Sequence, residues 1–249
     1  YNKEFSEGAA KQGLDYQKAS ELFDLIEKFA GYGFNKSHSA AYAMVTFQTA
    51  WLKTYYPQEF MAALLTSEKD NTDKVVKYID EAKRMKISLG APDINDSQLE
   101  FSAITKDGAD QILFGLGAIK GVGEAAVESI LEARAEGEFT DLKDFINRIE
   151  PQKVNKKVIE CIIKAGGFDR FGYSRRALLE QVEILVEAAK QGSTLKKESQ
   201  FSLFGDDAEV TTVDLELKNY DEYDLKGILD FEKETLGFYV SGHPLDNYR

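Results

Sequence analysis

Residues 114–134, FGLGAIKGVGEAAVESILEAR, contain a pattern that can bind a phosphate group. The pattern predicts a short helix around residues 116–119, a tight turn at Gly121-Val122-Gly123, and a longer helix over about 124–135. The first N–H groups of that longer helix have no partner inside it, and its dipole favours an anion at the same end. Lys120 beside the turn also favours a phosphate site. A simple αα-hairpin that needs glycine only to turn would show the same pattern, so both interpretations stay open.

A second copy of this helix–turn–helix plan follows in degenerate form. Two helices are predicted over residues 155–165 and 174–189, separated by the glycine-containing turn AGGFDRFG. Two such units in tandem predict a double helix-hairpin-helix domain, in which the units bury each other's faces and bind a nucleic-acid backbone without reading bases. The predicted DNA-binding residues are Lys120, Gly121, Val122, Gly123, Lys156, Lys157, Arg170, Arg175 and Arg176.

The charge distribution is uneven. A formal net charge of −12 and an isoelectric point near 4.8 argue against a dedicated nucleic-acid coat protein, which should be basic. Acids crowd residues 206–224, whereas residues 153–176 contain seven Lys and Arg against two acids. A locally basic face on an acidic chain fits a module that contacts phosphate in one place, although ordinary solvated helix faces would give the same distribution.

The composition is that of a folded globular protein. With 249 residues, 43% of them hydrophobic, the chain can build two modest domains. The uncharged residues 39–52 are too few and too polar to span a bilayer, so we predict no membrane contact. Tyr1 is not an initiator and no signal peptide is recognisable, so we expect a cytoplasmic fragment of a longer protein. Cys161 among aliphatic residues predicts an inert buried thiol, and one Cys with two His cannot form a Cys/His zinc site.

A dense polar cluster, Lys36-Ser37-His38-Ser39, stands between an aromatic turn and an apolar helix. Ser37 or Ser39 could cap that helix, which would leave Lys36 and His38 near its positive end as a phosphate site. A cap with a satisfied histidine is the alternative. The helix continues to Tyr55 and is apolar on nearly all sides, so we predict that it is buried together with Trp51.

A small β-hairpin and a linker are predicted on either side of the paired units. Residues 99–104 alternate in polarity, 106–110 have turn chemistry and 112–114 are apolar, which predicts two strands after a domain boundary near residue 92. Residues 191–199 are polar and rich in Gly, Ser and Lys, which predicts a linker. It leads to QFSLF at 200–204, an aromatic peptide that suits either docking in a partner's groove or folding onto its own domain.

Two segments together resemble the C-family replicative polymerases of bacteria, the DNA polymerase III alpha subunits. They are GYGFNKSHSAAYAMVTFQTAWLKTYYPQEFMAALL and FGLGAIKGVGEAAVESILEAR, and the resemblance resumes at KETLGFYVSGHPL. It implies a mainly α fold. Residues 1–92 would be a helical distal fingers segment, and 93–190 a tandem helix-hairpin-helix domain preceded by a small β-hairpin. Residues 191–249 would be a linker and a tail that leads toward an OB-fold domain absent from this chain.

The resemblance also implies roles and partners. Lys36, Ser37 and His38 fall in the family's FNKSHSAAY signature and would contact nucleotide or template in the fingers. The paired hairpins would hold double-stranded primer–template DNA. The family's Gln-x-x-Leu-Phe motif, which binds the sliding clamp (the beta subunit), is matched by Gln200, Leu203 and Phe204. The other subunits of the polymerase III holoenzyme are further implied partners.

The implied chemistry is metal-assisted nucleotidyl transfer, in which palm aspartates hold two divalent ions. This chain contains no Asp-x-Asp pair. We therefore expect no catalytic residue, metal site or cofactor in it, with Mg2+ acting in the parent polymerase. Mg2+-dependent primer extension by the chain alone would contradict this expectation. Two other classes stay open: a helix-hairpin-helix DNA repair protein such as a glycosylase, and a protein-binding helical scaffold.

Overall fold

The computed structural model describes residues 1–32, 36–106, 108–201, 213–242 and 244–245. These residues form mainly α-helices with one small sheet, which confirms the predicted fold class. They divide into two compact units, Tyr1–Tyr55 and Tyr56–Arg249. The predicted boundaries near residues 92 and 190 lie inside the second unit. Among the described helices, none is both long enough and apolar enough to cross a membrane.

The first unit consists of α1 (Asn2–Lys11), α2 (Tyr16–Tyr32) and α3 (Lys36–Tyr55). α1 and α2 pack against each other, with the ring centres of Phe5 and Phe23 5.4 Å apart. The predicted burial of α3 is wrong, since Phe47 is 65% and Trp51 43% exposed. A helix that is apolar on nearly all sides needs several neighbours, and a unit with two other helices is too small to surround it.

The second unit begins with α4 (Pro57–Ser67), α5 (Thr72–Arg84), β1 (Ser88–Gly90), β2 (Ser102–Lys106) and β3 (Ala109–Leu113). β2 and β3 form the predicted antiparallel hairpin. β1 adds to β3 in parallel, where Leu89 pairs with Ile112, and the strand order is β1-β3-β2. The sequence analysis predicts a two-stranded hairpin, so this third strand is a correction. Three residues are too few to show a period of two, and their pairing exists only in the folded chain.

The helices of the paired hairpins and the tail are α6 (Glu124–Ala135), α7 (Leu142–Arg148), α8 (Lys156–Ala165), α9 (Arg175–Glu180), α10 (Val182–Phe201) and α11 (Leu225–Thr235). Asp141, Asn155 and Ser174 accept the N–H three residues later and so cap α7, α8 and α9. The single helix predicted over residues 174–189 is divided at Gln181. The side chain of Gln181 donates to the carbonyl oxygens of Ala177 at 2.9 Å and of Lys218 at 2.8 Å, and the second bond joins this break to the tail.

The predicted linker at residues 191–199 is helical, because α10 continues to Phe201. Gln191, Leu195 and Glu198 are among the residue types that favour helices, and their propensity outweighs that of the few Gly, Ser and Thr residues. Gly192 is buried against α7, and a Cβ at this position would lie 3.0 Å from Oδ1 of Asn147. This glycine therefore allows close packing of two helices, where the composition suggested flexibility.

One continuous hydrophobic core connects the elements of the second unit. It includes Met61 of α4, Ile130 of α6, Phe145 of α7 and Phe168 between α8 and α9, all of them fully buried. The rings of Phe145 and Phe168 meet edge to face at 4.9 Å. Because α4 and α5 pack on the sheet and the sheet runs directly into the first hairpin, the residues on both sides of position 92 share this core.

Candidate nucleic-acid interface

The first hairpin has the predicted form. A 3-10 turn at Leu116–Ala118 precedes the glycine turn, and α6 begins at Glu124. Gly121 has a φ of +89°, and a Cβ there would lie 2.7 Å from Sγ of Cys161 on α8. Glycine is therefore required at this position both by the backbone angle and by the contact with the second hairpin. Val122 is buried and holds the turn on the core.

The turn leaves hydrogen-bond donors at the start of α6. Gly123 is the N-cap residue and, lacking a side chain, cannot cap the helix itself. Open space lies where a Cβ would be. Within the described part of the chain, no group accepts a hydrogen bond from the N–H of Gly123, Glu124 or Ala125. All three residues are exposed. Together with the positive end of the helix dipole, these donors can bind an anion such as a phosphate.

Two of the predicted lysines lie beside this turn. Lys120 is exposed, and its backbone N–H donates to the carbonyl oxygen of Thr235 at 2.8 Å. Lys157 of α8 is also exposed, and its Cε lies 3.7 Å from the position of a Cβ built on Gly121. The packing of the second hairpin against the first thus brings a lysine of each hairpin to one turn.

Sequence reasoning missed a third lysine. Lys69, in the loop between α4 and α5, lines the same cleft of about 280 Å³ as Lys120 and Gly121. It is exposed at the end of a helix and carries no local signal of function, since single lysines are common at such positions. Only the folded chain, in which the loop between α4 and α5 borders the same cleft as the glycine turn, reveals its position.

The second hairpin also has the helix–turn–helix form. Gly166 and Gly172 have φ values of +87° and +77° and enclose a 3-10 turn at Asp169–Phe171. Ser174 then caps α9, with its Oγ 3.0 Å from the N–H of Ala177 that it accepts. The turn is longer than that of the first hairpin, as the sequence predicts.

Arg175 does not lie on the surface as a DNA contact would. Its side chain is 5% exposed and pairs with Asp169 at 2.7 Å and with Glu232 of α11 at 3.5 Å. Burial by itself would lower the pKa of Arg175, but the hydrogen bond and charge of Asp169 raise it above its usual value. Arg175 therefore stays charged inside the fold. A basic run cannot reveal this, because the carboxylate partner Glu232 is remote in sequence.

The remaining predicted cations differ in availability. Arg170 pairs with Asp93 at 3.2 Å and with Asp96 at 3.6 Å. Lys156 pairs with Glu183 and, at 3.7 Å, with Glu160. Arg176 is exposed and stands over the rings of Tyr220 and Tyr223 at 6.0 and 5.9 Å. The ion pairs of Arg170 and Lys156 lie at the surface, where such pairs are weak and can exchange for a phosphate. These two residues and the exposed Arg176 therefore stay predicted contacts.

The tail after residue 213 packs on both hairpins, which the sequence did not predict. α11 reaches the first hairpin through the Lys120–Thr235 hydrogen bond and the second through Lys164 and Glu234, 2.8 Å apart. The buried Glu232 also accepts the N–H groups of Val240 and Ser241 at 2.7 and 3.0 Å. α11 is thus an integral part of the hairpin assembly.

The polar cluster Lys36-Ser37-His38-Ser39, for which a contact with nucleotide or template is predicted, lies at the start of α3. Because α3 begins at Lys36, Ser37 and Ser39 lie within the helix and do not precede it as caps. The rings of His38 and Tyr42, one turn apart on the helix, lie tilted at 43° to each other with their centres 4.2 Å apart. The side chain of Lys36 lies outside the described residues, and the predicted contact of this cluster with nucleotide or template stays a prediction.

The predicted clamp-binding residues fall at the edge of the described structure. Gln200 belongs to α10, which ends at Phe201, but its side chain lies outside the described residues. Leu203 and Phe204 lie outside them as well. The clamp motif therefore stays a prediction.

Cys161 is half-buried beneath the glycine turn. Burial raises the pKa of its thiol, although Lys164 and Lys157 act in the opposite direction. The thiol is therefore protonated near neutral pH. The sequence predicted a fully buried thiol, and the structure shows a half-buried one. In the described part of the chain, no group of three or more His, Cys, Asp or Glu residues is placed to hold a metal ion.

Comparison with known proteins shows what this chain is similar to. Residues 86–178 match the family model described as a helix-hairpin-helix motif, a range that contains the first hairpin and the second as far as the middle of α9. The DNA polymerase III alpha subunit of Campylobacter jejuni is 55% identical over 98% of this chain and 20% of the relative's own length. Those of Vibrio cholerae and Xylella fastidiosa (strain Temecula1) are 50% and 49% identical over 98% of this chain and 21% and 20% of their own length. The resemblance to DNA polymerase III alpha subunits is confirmed.

The chain spans about a fifth of the length of these DNA polymerase III alpha subunits. Because the alignments cover almost the whole chain, the matched region includes the hairpins, the segment predicted to be distal fingers and the tail with α11.

Proposed function

We propose that this chain is the part of a replicative DNA-directed DNA polymerase that holds double-stranded primer–template DNA by its backbone phosphates. The observation that carries the proposal is the glycine turn of the first hairpin. It presents the N–H groups of Gly123, Glu124 and Ala125 outward at the start of α6. The exposed Lys120 and Lys157 lie beside it.

Such a site holds the DNA backbone in position and does not recognise bases. Backbone N–H groups and a helix dipole bind a phosphate oxygen at close range, and lysine side chains add a longer-range attraction. None of these groups reads a base edge, so binding would be independent of sequence, as chromosomal replication requires. A net charge of −12 repels DNA elsewhere, which confines the contact to the hairpins.

The proposal includes the wider assignments of the family. The parent protein would catalyse nucleotidyl transfer with Mg2+ in the cytoplasm and assemble with other subunits of the polymerase III holoenzyme. This chain, which contains no Asp-x-Asp pair, would contribute DNA binding and no catalytic group. Lys36, Ser37 and His38 would contact nucleotide or template.

Neutralising the two lysines at the turn should weaken DNA binding. We expect Lys120→Gln combined with Lys157→Gln to lower the affinity for labelled primer–template DNA about tenfold at low salt. The slope of log K (the association constant) against log salt concentration is negative, and its magnitude should decrease by about 1.8, since each lost phosphate contact removes about 0.9. Fluorescence anisotropy at low and moderate salt measures both quantities.

The matched control replaces the same lysines by arginine, which keeps the charge and should keep the affinity. If the glutamine variant binds as tightly as the parent chain, the first hairpin is not the contact. If the parent chain binds no DNA even at low salt, a protein-binding scaffold becomes the better description.

We also propose that Gln200, Leu203 and Phe204 bind the sliding clamp. Replacing Leu203 and Phe204 by alanine should abolish clamp binding, because the motif presents these two side chains to a hydrophobic groove. Surface plasmon resonance on immobilised clamp measures this, and DNA affinity of the same variant should stay within a factor of two. Loss of both activities together would contradict two separate sites.

A further inference from the structure

An acidic segment of the tail lies directly on the second hairpin. We call residues 219–223, Asn-Tyr-Asp-Glu-Tyr, the flap. At one end Gln181 and Lys218 exchange two hydrogen bonds of 2.8 Å each. At the other end Asp224 caps α11 by accepting the N–H of Gly227 at 2.9 Å. The flap is thus a short run of chain between two fixed points.

The flap occupies donors of the second hairpin. The Glu222 carboxylate accepts the backbone N–H of Arg175 at 2.7 Å and that of Arg176 at 3.3 Å. Ser174 Oγ donates to the carbonyl oxygen of Tyr220 at 2.7 Å. The guanidinium of Arg176 lies over the flap's two tyrosine rings. An anion of this chain already occupies the position where the second hairpin offers N–H groups and a surface cation together.

The flap is held less firmly than the tail segment before it. Val213, Leu215 and Leu217 pack on the hydrophobic core, whereas residues 219–222 are all exposed. Only Tyr223 at the end of the flap is half-buried, with its ring edge to face on Phe231 of α11 at 5.1 Å. The flap's contacts are mostly hydrogen bonds and ring contacts at the surface, which water or another anion can replace at small cost. Release of the flap would therefore leave the core, Gln181 and the α11 cap unchanged.

We infer that the flap competes with nucleic acid for the second hairpin. While the flap is closed, the first hairpin alone is open to a DNA phosphate. When the flap moves away, the exposed Arg176 and the backbone donors beside it become a second backbone contact. The inference rests on the proposed function, since it assumes that the first hairpin binds DNA.

A single-charge variant of the whole chain tests the inference. Glu222→Gln should bind primer–template DNA about threefold to tenfold more tightly at low salt, because a neutral amide accepts the N–H groups of Arg175 and Arg176 more weakly than a carboxylate does. Glu216→Gln is the matched control, because it removes the same charge from an exposed position on the neighbouring core-packed segment. It should change the affinity by less than about twofold. Adding Arg176→Gln to Glu222→Gln should cancel the gain.

Amide hydrogen exchange gives a second readout. With DNA bound, residues 219–223 of the parent chain should exchange faster while residues 213–217 stay protected. Equal affinities of the Glu222 and Glu216 variants, or weaker binding by Glu222→Gln with a lowered melting temperature, would overturn the inference. If the parent binds DNA through Lys120 and Lys157 but the Glu222 variant gains nothing, the flap inference alone fails. If no variant binds DNA, the proposed function fails with it.

Discussion

Replacing Gly121 by alanine should destabilise the second unit by about 2–5 kcal/mol, the sum of a left-handed backbone for a non-glycine residue and overpacking of a filled contact. The backbone term arises from the φ of +89° and the packing term from the 2.7 Å approach to Sγ of Cys161. Urea unfolding followed by circular dichroism measures the loss. DNA binding should weaken as well, because the turn positions the α6 donors.

The control for this variant lies two residues away. Gly123→Ser should change stability by no more than about 0.5 kcal/mol, since serine is a favourable N-cap residue and open space receives its side chain. Gly123→Leu should also fold but weaken DNA binding, because its side chain would project from the N-cap where the proposed phosphate binds.

Combining Gly121→Ala with Cys161→Ala separates the two terms. Removal of the sulfur should recover the stability lost to overpacking and leave the loss caused by the left-handed backbone angle. Parent-like stability of Gly121→Ala by itself would show that the two hairpins do not approach each other as described.

Replacing Arg175 by methionine should lower the free energy of unfolding by about 3–5 kcal/mol, because it leaves the buried carboxylate of Glu232 without its cationic partner. Glu232 is 1% exposed, so water cannot take the place of the guanidinium. Thermal unfolding measures the effect. Within the described structure, the ion pair joins α9 to α11, so the tail should loosen from the second hairpin before the core unfolds.

Two further variants make this prediction specific. Glu232→Gln in the Arg175→Met background should recover part of the loss, since a neutral amide oxygen can still accept the N–H groups of Val240 and Ser241. Arg176→Met, one residue along but exposed, should change stability by no more than about 0.5 kcal/mol. Equal losses for Arg175→Met and Arg176→Met would refute the distinct roles of these neighbouring arginines.

These two predictions concern the same architectural point. Gly121 and Cys161 join the first hairpin to the second, and Arg175 and Glu232 join the second hairpin to α11. The carbonyl oxygen of Thr235 in α11 accepts the backbone N–H of Lys120, which joins α11 to the first hairpin. Residues of both hairpins and the tail therefore support the proposed DNA contact at the first turn. Substitutions far from that turn along the chain should alter DNA binding.

The sequence by itself determined the local elements of the hairpins. The glycine turn, the short helix before it and the start of α6 follow from residues within a few positions of one another. The caps Asn155 and Ser174 likewise act over three residues. Such features depend on backbone angles and neighbouring side chains, which the local sequence contains in full.

The tertiary structure alone decided which charges face the solvent and which elements acquire partners. Arg175 and Arg176 are identical in type and adjacent in sequence, yet only Arg175 is buried, because Glu232 and Asp169 surround it in the folded chain. β1 exists because β3 lies beside it. Lys157 reaches the first turn because α8 packs beneath Gly121. Exposure and pairing arise from contacts between residues far apart along the chain, and no local pattern encodes those contacts.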